Sequence, residues 1–294
     1  MSDIETPNPE RRGLKKGLYL IPSAFTAANI LMGFYTIMSA LRAFQLIGLG
    51  DTGGAVGYLD KGAIAIGWAL LADMLDGRIA RLTKTTTEIG VQLDSLADVV
   101  TFGIAPAVLA YVWAYGGSFS EGSDLANVAF FISFMYLMCG TFRLARFNVQ
   151  SSRPRILAEG TIKMDKKSFV GLPIPVAGGL IAALVHFAPL PLKSYGEERA
   201  QLYSALMIIL MGLLSVLMVS RMRFPSFKAV GTKSRSMRII ILAVGVGVLI
   251  FLFSRYVLLA VVISYILYGL LSRMGGLFRR RSDVSAATVS AKET

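Results

Sequence analysis

The chain has 294 residues, of which 54% are hydrophobic, and its 30 Lys and Arg residues outnumber its 18 Asp and Glu residues, giving a net charge of +12. Soluble domains are about 45–50% apolar. Because the apolar residues here collect in long runs with few charges, the composition excludes an ordinary soluble domain and indicates a polytopic membrane protein. Its basic excess is expected in cytoplasmic loops near anionic headgroups, so no nucleic-acid partner is expected.

The apolar runs predict an all-α membrane bundle of about eight transmembrane helices. The first six are predicted at residues 18–41, 61–82, 91–115, 125–147, 170–187 and 202–218. The last apolar stretch, residues 239–271, would form a helix about 50 Å long, which exceeds a membrane core of about 30 Å. Arg255 interrupts this stretch, so we predict two spans that turn near residues 254–256.

The distribution of charge predicts the orientation of these spans. Basic residues cluster before the first span and after each even-numbered span, in residues 11–16, 78–84, 143–167, 221–235 and 279–281. The opposite loops carry acidic residues instead: Asp51, Asp60, Glu121, Asp124, Glu197 and Glu198. By the positive-inside rule, we expect a multi-pass protein of the cell membrane with both termini in the cytoplasm.

Four aspartates lie at the cytoplasmic ends of the second and third predicted spans. Asp73 and Asp76 are three residues apart, and Asp94 and Asp98 are four apart, so each pair shares one helix face. Carboxylates are expensive in a membrane, at about 2.5–3.5 kcal/mol each, and a divalent cation would offset their mutual repulsion. Ligands that are all oxygen favour Mg²⁺ or Mn²⁺ over Zn²⁺.

Small and basic residues accompany these aspartates. Gly77 and Ala80 share a helix face with Asp73 and Asp76, which leaves space for a nucleotide against the helix. Gly90 lies one turn before Asp94 and would do the same on the facing helix. Arg81 could donate two hydrogen bonds to phosphate oxygens.

The complete pattern resembles the signature of the CDP-alcohol phosphotransferase family at every fixed position. It reads Asp73-x2-Asp76-Gly77-x2-Ala80-Arg81-x8-Gly90-x3-Asp94-x3-Asp98. Members of that family are integral membrane enzymes that use divalent metal and an alcohol to displace CMP from a CDP-linked substrate. The resemblance implies two metal ions held by the four aspartates, with Asp98 as the general base. It also implies a homodimer.

The resemblance also suggests how the chain divides. It implies that the six spans within residues 18–220 form the catalytic core. The apolar runs and charges add a basic cytoplasmic segment at residues 1–17, two further spans at 236–272 and a cytoplasmic tail at 273–294. The last two spans lie outside the part that resembles the family, and the sequence assigns them no role.

Further segments resemble the serine-specific branch of this family, the bacterial and archaeal type of phosphatidylserine synthase. The most distinctive are RLARFN at residues 143–148 and GLPIP at 171–175. This resemblance implies CDP-diacylglycerol and L-serine as substrates and CMP as a product. Arg143 and Arg146 are three residues apart and could bind the serine carboxylate, with Asn148 as an amide partner. Asn29, in the first span, either makes packing contacts or touches the nucleotide.

Two alternatives stay open at this point. The first is a sister transferase that uses another alcohol acceptor or an ether-lipid donor. The second belongs to another class: a divalent-cation transporter whose carboxylates line a pathway. A transporter would favour acids near the bilayer midplane or on both sides, whereas these four lie at one boundary beside basic residues.

Overall fold

The computed structural model describes residues 9–83, 88–116, 123–152, 168–225 and 254–269. Side chains are described over 24–75, 89–116, 123–149, 171–222 and 254–269. Within these ranges the chain is helical except for its connections and two strands of three residues each. The prediction of an all-helical protein is therefore confirmed.

Eight α-helices are described, and the third and fourth belong to one longer helical rod. They are α1 (Pro9–Gly48), α2 (Thr52–Thr83), α3 (Glu88–Asp98), α4 (Ala105–Ala110), α5 (Asp124–Ser152), α6 (Ile174–Phe187), α7 (Glu197–Val219) and α8 (Ser254–Gly269). A 3-10 turn, Leu192–Tyr195, precedes α7. Strands β1 (Ser168–Val170) and β2 (Arg223–Pro225) pair in antiparallel fashion.

Among the residues that the structure describes, five helical segments are long and apolar enough to cross a membrane, and α6 and α8 are shorter apolar helices. This indicates an integral membrane protein. Each of the first six predicted spans coincides with one of these segments. Residues 254–256 are helical in α8. The preceding predicted span falls outside the described residues, so the turn between the two spans stays a prediction.

The second helix begins nine residues earlier than predicted. The sequence predicts Asp60 in the loop before this span, but α2 starts at Thr52, so Asp60 lies inside a helix. The chain reverses at Gly50, which has a φ of 81°. Asp51 then caps α2, since the Gly54 N–H donates to Asp51 Oδ1 at 2.8 Å. This cap and the packing of α2 on α1 outweigh the weak helix propensity of glycine.

The third span is a helical rod with two π-helical segments. After α3 come π1 (Val99–Ile104), α4 and π2 (Tyr111–Tyr115). The π1 segment is held from both sides: the Thr101 hydroxyl donates to the Asn29 carbonyl of α1 at 2.9 Å, and the Tyr136 hydroxyl of α5 donates to the Phe102 carbonyl at 2.9 Å. Short π-helical segments often occur at functional sites.

The GLPIP segment packs against π1 and α7. Gly171 has a φ of 81°, and a Cβ there would collide with the Met218 carbonyl, so this turn requires glycine. Ile174 is fully buried and its side chain occupies space left by Gly103 of π1 and Gly140 of α5. The segment therefore fixes the helices that surround π1.

Candidate active site

Three of the four predicted metal ligands converge. Asp73 comes from α2, and Asp94 and Asp98 come from α3. One carboxylate oxygen of each lies within 4.8 Å of the others. The side chain of Asp76 is outside the described residues, so its place in the cluster stays a prediction. Helices α2 and α3 thus present their acidic side chains to each other.

The chemistry of this cluster suits a hard cation. Asp98 is only 9% exposed, and its Oδ1 atom has no hydrogen-bond partner within the described residues. A buried carboxylate oxygen without a partner carries a large desolvation penalty. Two neighbouring carboxylates add repulsion. A divalent ion with oxygen ligands would relieve both costs. Members of the CDP-alcohol phosphotransferase family generally use divalent metal.

Asp98 is fixed by its position in the fold. It is the last residue of α3 and directly precedes π1, and its side chain does not cap that segment. Because π1 is tied to α1 and α5, as described above, the backbone that carries Asp98 is anchored on two sides. The packing of this backbone therefore sets the direction of the Asp98 carboxylate, which makes no capping hydrogen bond to π1.

Asn29 lies on α1 beside π1 and is 1% exposed. Its backbone carbonyl accepts the hydrogen bond from Thr101, but neither side-chain amide atom has a partner within the described part of the chain. A buried amide is normally satisfied. Of the two interpretations left open by the sequence, contact with a polar ligand accounts for this side chain better than packing does.

The three residues predicted for the acceptor differ in their surroundings. Arg143 is 9% exposed, interacts electrostatically with Asp98, and lies 6.0 Å from the Phe147 ring centroid. Its Nε atom has no hydrogen-bond partner among the described residues. Arg146 is exposed. The Asn148 amide donates to the Ser95 hydroxyl at 2.8 Å, which ties the end of α5 to the helix that carries Asp94 and Asp98.

The remaining predicted residues are only partly described. Gly77, Ala80 and Arg81 belong to α2, but their side-chain positions lie outside the described residues. Gly90 is exposed near the start of α3. Contacts of these four residues with nucleotide therefore stay predictions.

Sequence reasoning did not identify three residues that support the site. Ser95 accepts the hydrogen bond from Asn148, Thr101 joins π1 to α1, and Tyr136 joins π1 to α5. Thr101 and Tyr136 are buried hydroxyls in otherwise apolar stretches, whereas Ser95 is half-buried and follows Asp94 directly. A buried hydroxyl needs a hydrogen-bond partner, so the sequence indicated that these two buried side chains are hydrogen-bonded. It did not indicate which residue is the partner.

Comparisons with known proteins agree with this geometry. The sequence model of the CDP-alcohol phosphatidyltransferase family matches residues 19–216. A Helicobacter pylori protein named CDP-diacylglycerol–serine O-phosphatidyltransferase is 33% identical over 219 residues, which cover 72% of this chain and 75% of the relative. Proteins of the same name are 33% identical over 202 residues in Methanocaldococcus jannaschii (69% and 72% covered) and 30% identical over 208 residues in Bacillus subtilis (71% and 91% covered). The chain therefore belongs to the CDP-alcohol phosphatidyltransferase family.

Proposed function

We propose that this protein transfers a phosphatidyl group from CDP-diacylglycerol to L-serine, forming phosphatidylserine and releasing CMP. The main observation behind the proposal is the convergence of the carboxylates of Asp73, Asp94 and Asp98 in the helical bundle. The names of the relatives support serine as the acceptor. Family membership favours this transferase over a cation transporter.

The aspartates would hold the metal, and neighbouring residues would bind the donor. Asp73, Asp94 and Asp98, together with Asp76, would ligate Mg²⁺ or Mn²⁺, two ions per site, which would neutralise the pyrophosphate charge. Arg81 would add hydrogen bonds to phosphate oxygens. The buried amide of Asn29 would contact the nucleotide.

An apolar groove between α1 and α2 supports a lipid donor. It has a volume of about 440 Å³ and is lined on α1 by Phe25, Ala28 and Met32 and on α2 by Trp68, Leu71, Ala72, Met74 and Leu75. Ala28 and Ala72 adjoin Asn29 and Asp73 in the sequence. A donor whose cytidine diphosphate occupies the polar cluster would therefore have an apolar surface for an acyl chain, and could enter sideways from the bilayer.

The transfer would be a displacement at the β-phosphorus of the donor. The serine hydroxyl oxygen forms a bond to that phosphorus, and the bond from phosphorus to the oxygen bridging the two phosphates breaks. CMP leaves with the bridging oxygen. Asp98 would accept the hydroxyl proton as general base, and its fixed position beside Arg143 would align it with the acceptor. Arg143 would bind the serine carboxylate.

The topology and assembly are part of the same proposal. The basic loops would place the aspartates at the cytoplasmic side of the cell membrane, where a CDP-linked lipid and serine would meet. The two termini would lie on that side. The resemblance to the family supports a homodimer. The chain would be organised as a cytoplasmic segment at residues 1–17, a catalytic core at 18–220, two additional spans at 236–272 and a cytoplasmic tail at 273–294.

An acceptor panel tests the proposal. Purified protein is incubated with CDP-diacylglycerol, Mg²⁺ or Mn²⁺ and one alcohol at a time: serine, glycerol 3-phosphate, inositol phosphate or water alone. Lipid products are then identified by mass spectrometry. Phosphatidylserine as the dominant product supports the proposal. Preferential reaction with another alcohol would identify a sister transferase, and an ether-linked donor tested in parallel would reveal a different lipid preference.

A further inference from the structure

One hydrogen bond joins the helix of the proposed metal ligands to the helix of the proposed acceptor residues. The Asn148 amide of α5 donates to the Ser95 hydroxyl of α3 at 2.8 Å. The Ser95 hydroxyl donates in turn to the Val91 carbonyl of its own helix at 3.0 Å. Because a serine hydroxyl has one donor hydrogen, that donor is used within α3 and the oxygen is left to accept from Asn148.

Both partners of this bond adjoin residues of the proposed site. Ser95 directly follows Asp94, and it precedes Asp98 by three residues, or about 4.5 Å along α3. Asn148 follows Arg143 by five residues, or about 7.5 Å along α5. The bond therefore lies within about two helical turns of the carboxylates that would hold the metal and of the guanidinium that would bind serine.

Packing joins the two helices mainly elsewhere. Among the described residues, α5 packs chiefly on α7, and it meets the third span mostly at π1, α4 and π2. Ser95 and Asn148 are half-buried, and their neighbours Leu96 and Phe147 are exposed. Because little apolar surface is buried around this bond, its loss should change the position of the two helices more than the stability of the fold.

We infer that Ser95 and Asn148 are positioning residues that set the place of the bound acceptor relative to the metal-held phosphate, and that Asn148 acts through α3 and not on serine. This inference rests on the proposed function and deepens it. The attacking oxygen must lie about 3–3.5 Å from phosphorus and in line with the leaving group, and a misplacement of about 1 Å can slow a reaction roughly 100-fold. A bond between the helices that carry the two sides of the reaction restricts such misplacement.

Ser95→Ala removes the acceptor of this bond and leaves Asn148, Arg143 and the carboxylates in place. With purified full-length protein, CDP-diacylglycerol and Mg²⁺, we expect Ser95→Ala to lower the kcat for transfer to serine roughly 5- to 30-fold. The serine KM and the Kd for CDP-diacylglycerol should stay close to those of wild type. Ser95→Thr keeps a hydroxyl and should restore most of the kcat.

Ser133→Ala is the matched control, because the Ser133 hydroxyl donates to the Ala129 carbonyl within α5 at 2.8 Å. Its kcat should equal that of wild type. The thermal unfolding temperatures of Ser95→Ala and Ser133→Ala should agree. A kcat for Ser95→Ala as high as that of Ser133→Ala would overturn the inference, and so would failure of Ser95→Thr to exceed Ser95→Ala.

A double-mutant cycle separates positioning from direct binding. If the two residues act together, Asn148→Ala should lower the kcat as much as Ser95→Ala, and the double variant should be less than about twofold slower than either. A contact between Asn148 and serine predicts instead that Asn148→Ala raises the serine KM while Ser95→Ala has no effect. That result, or fully additive effects, would overturn the inference. Wild-type protein that makes no phosphatidylserine would refute the proposed function, so the two failures are distinguishable.

Discussion

Arg143 and Arg146 share one sequence motif, but the structure predicts that their replacement has different consequences. Arg143 is 9% exposed and interacts with Asp98, whereas Arg146 is exposed. A hydrogen bond to a charged group contributes about 1.5–3 kcal/mol, and a solvent-exposed ion pair about 0–1 kcal/mol. Arg143→Ala should therefore raise the serine KM roughly 10- to 100-fold, and Arg146→Ala less than about fivefold.

The assay is steady-state transfer to serine at saturating CDP-diacylglycerol, with thermal unfolding as the control for folding. Arg143→Lys should rescue the KM only in part, because an ammonium group keeps the charge but loses the planar fork. Serine methyl ester lacks the carboxylate charge, so its KM should be similar for wild type and Arg143→Ala. An unchanged serine KM with a reduced kcat would refute the reasoning and assign Arg143 to the aspartate cluster. Equal effects at both arginines would refute it too.

Three further predictions concern the metal, π1 and the orientation. Asp94→Asn should abolish transfer while the protein remains folded in the membrane, and wild-type turnover by this variant or in excess chelator would refute the metal site. Tyr136→Phe should lower the free energy of unfolding by about 1–3 kcal/mol, because a buried carbonyl of π1 loses its donor; an unchanged unfolding midpoint in a denaturation series would contradict that role. In a Cys139→Ser background, an impermeant thiol reagent applied outside should label Ser120→Cys in preference to Gly160→Cys, and the reverse would overturn the cytoplasmic site.

The sequence predicted the helical membrane fold well because apolar runs and charges are local signals. It also predicted that Asp73 meets Asp94 and Asp98, because the spacing within each helix puts the acids on one face; the place of Asp76 stays a prediction. The start of α2 was predicted wrongly. The low helix propensity of the glycines near its start costs less than the Asp51 cap and the packing against α1 contribute. That packing cannot be seen in a local sequence pattern.

The surroundings of the site depend on contacts between residues distant in the sequence. The π1 segment is held by Asn29 and Tyr136, which are 72 and 34 residues away from their partners. Spacing placed Arg143 and Arg146 near one helix face, but burial distinguishes them because only Arg143 lies inside the bundle. Likewise, the structure gives His186 hydrogen bonds to Asp60 and Ser254, whose positions no local pattern would connect.

The central claim is that the aspartate cluster transfers a phosphatidyl group to serine, with Asp98 accepting the hydroxyl proton. The most direct test measures CMP release and phosphatidylserine formation together, for wild type and Asp98→Asn, with CDP-diacylglycerol, serine and Mg²⁺. The account predicts equal amounts of both products from wild type. It predicts loss of both from Asp98→Asn, while binding of CDP-diacylglycerol is retained. Phosphatidylserine formation by Asp98→Asn at the wild-type rate would contradict the account.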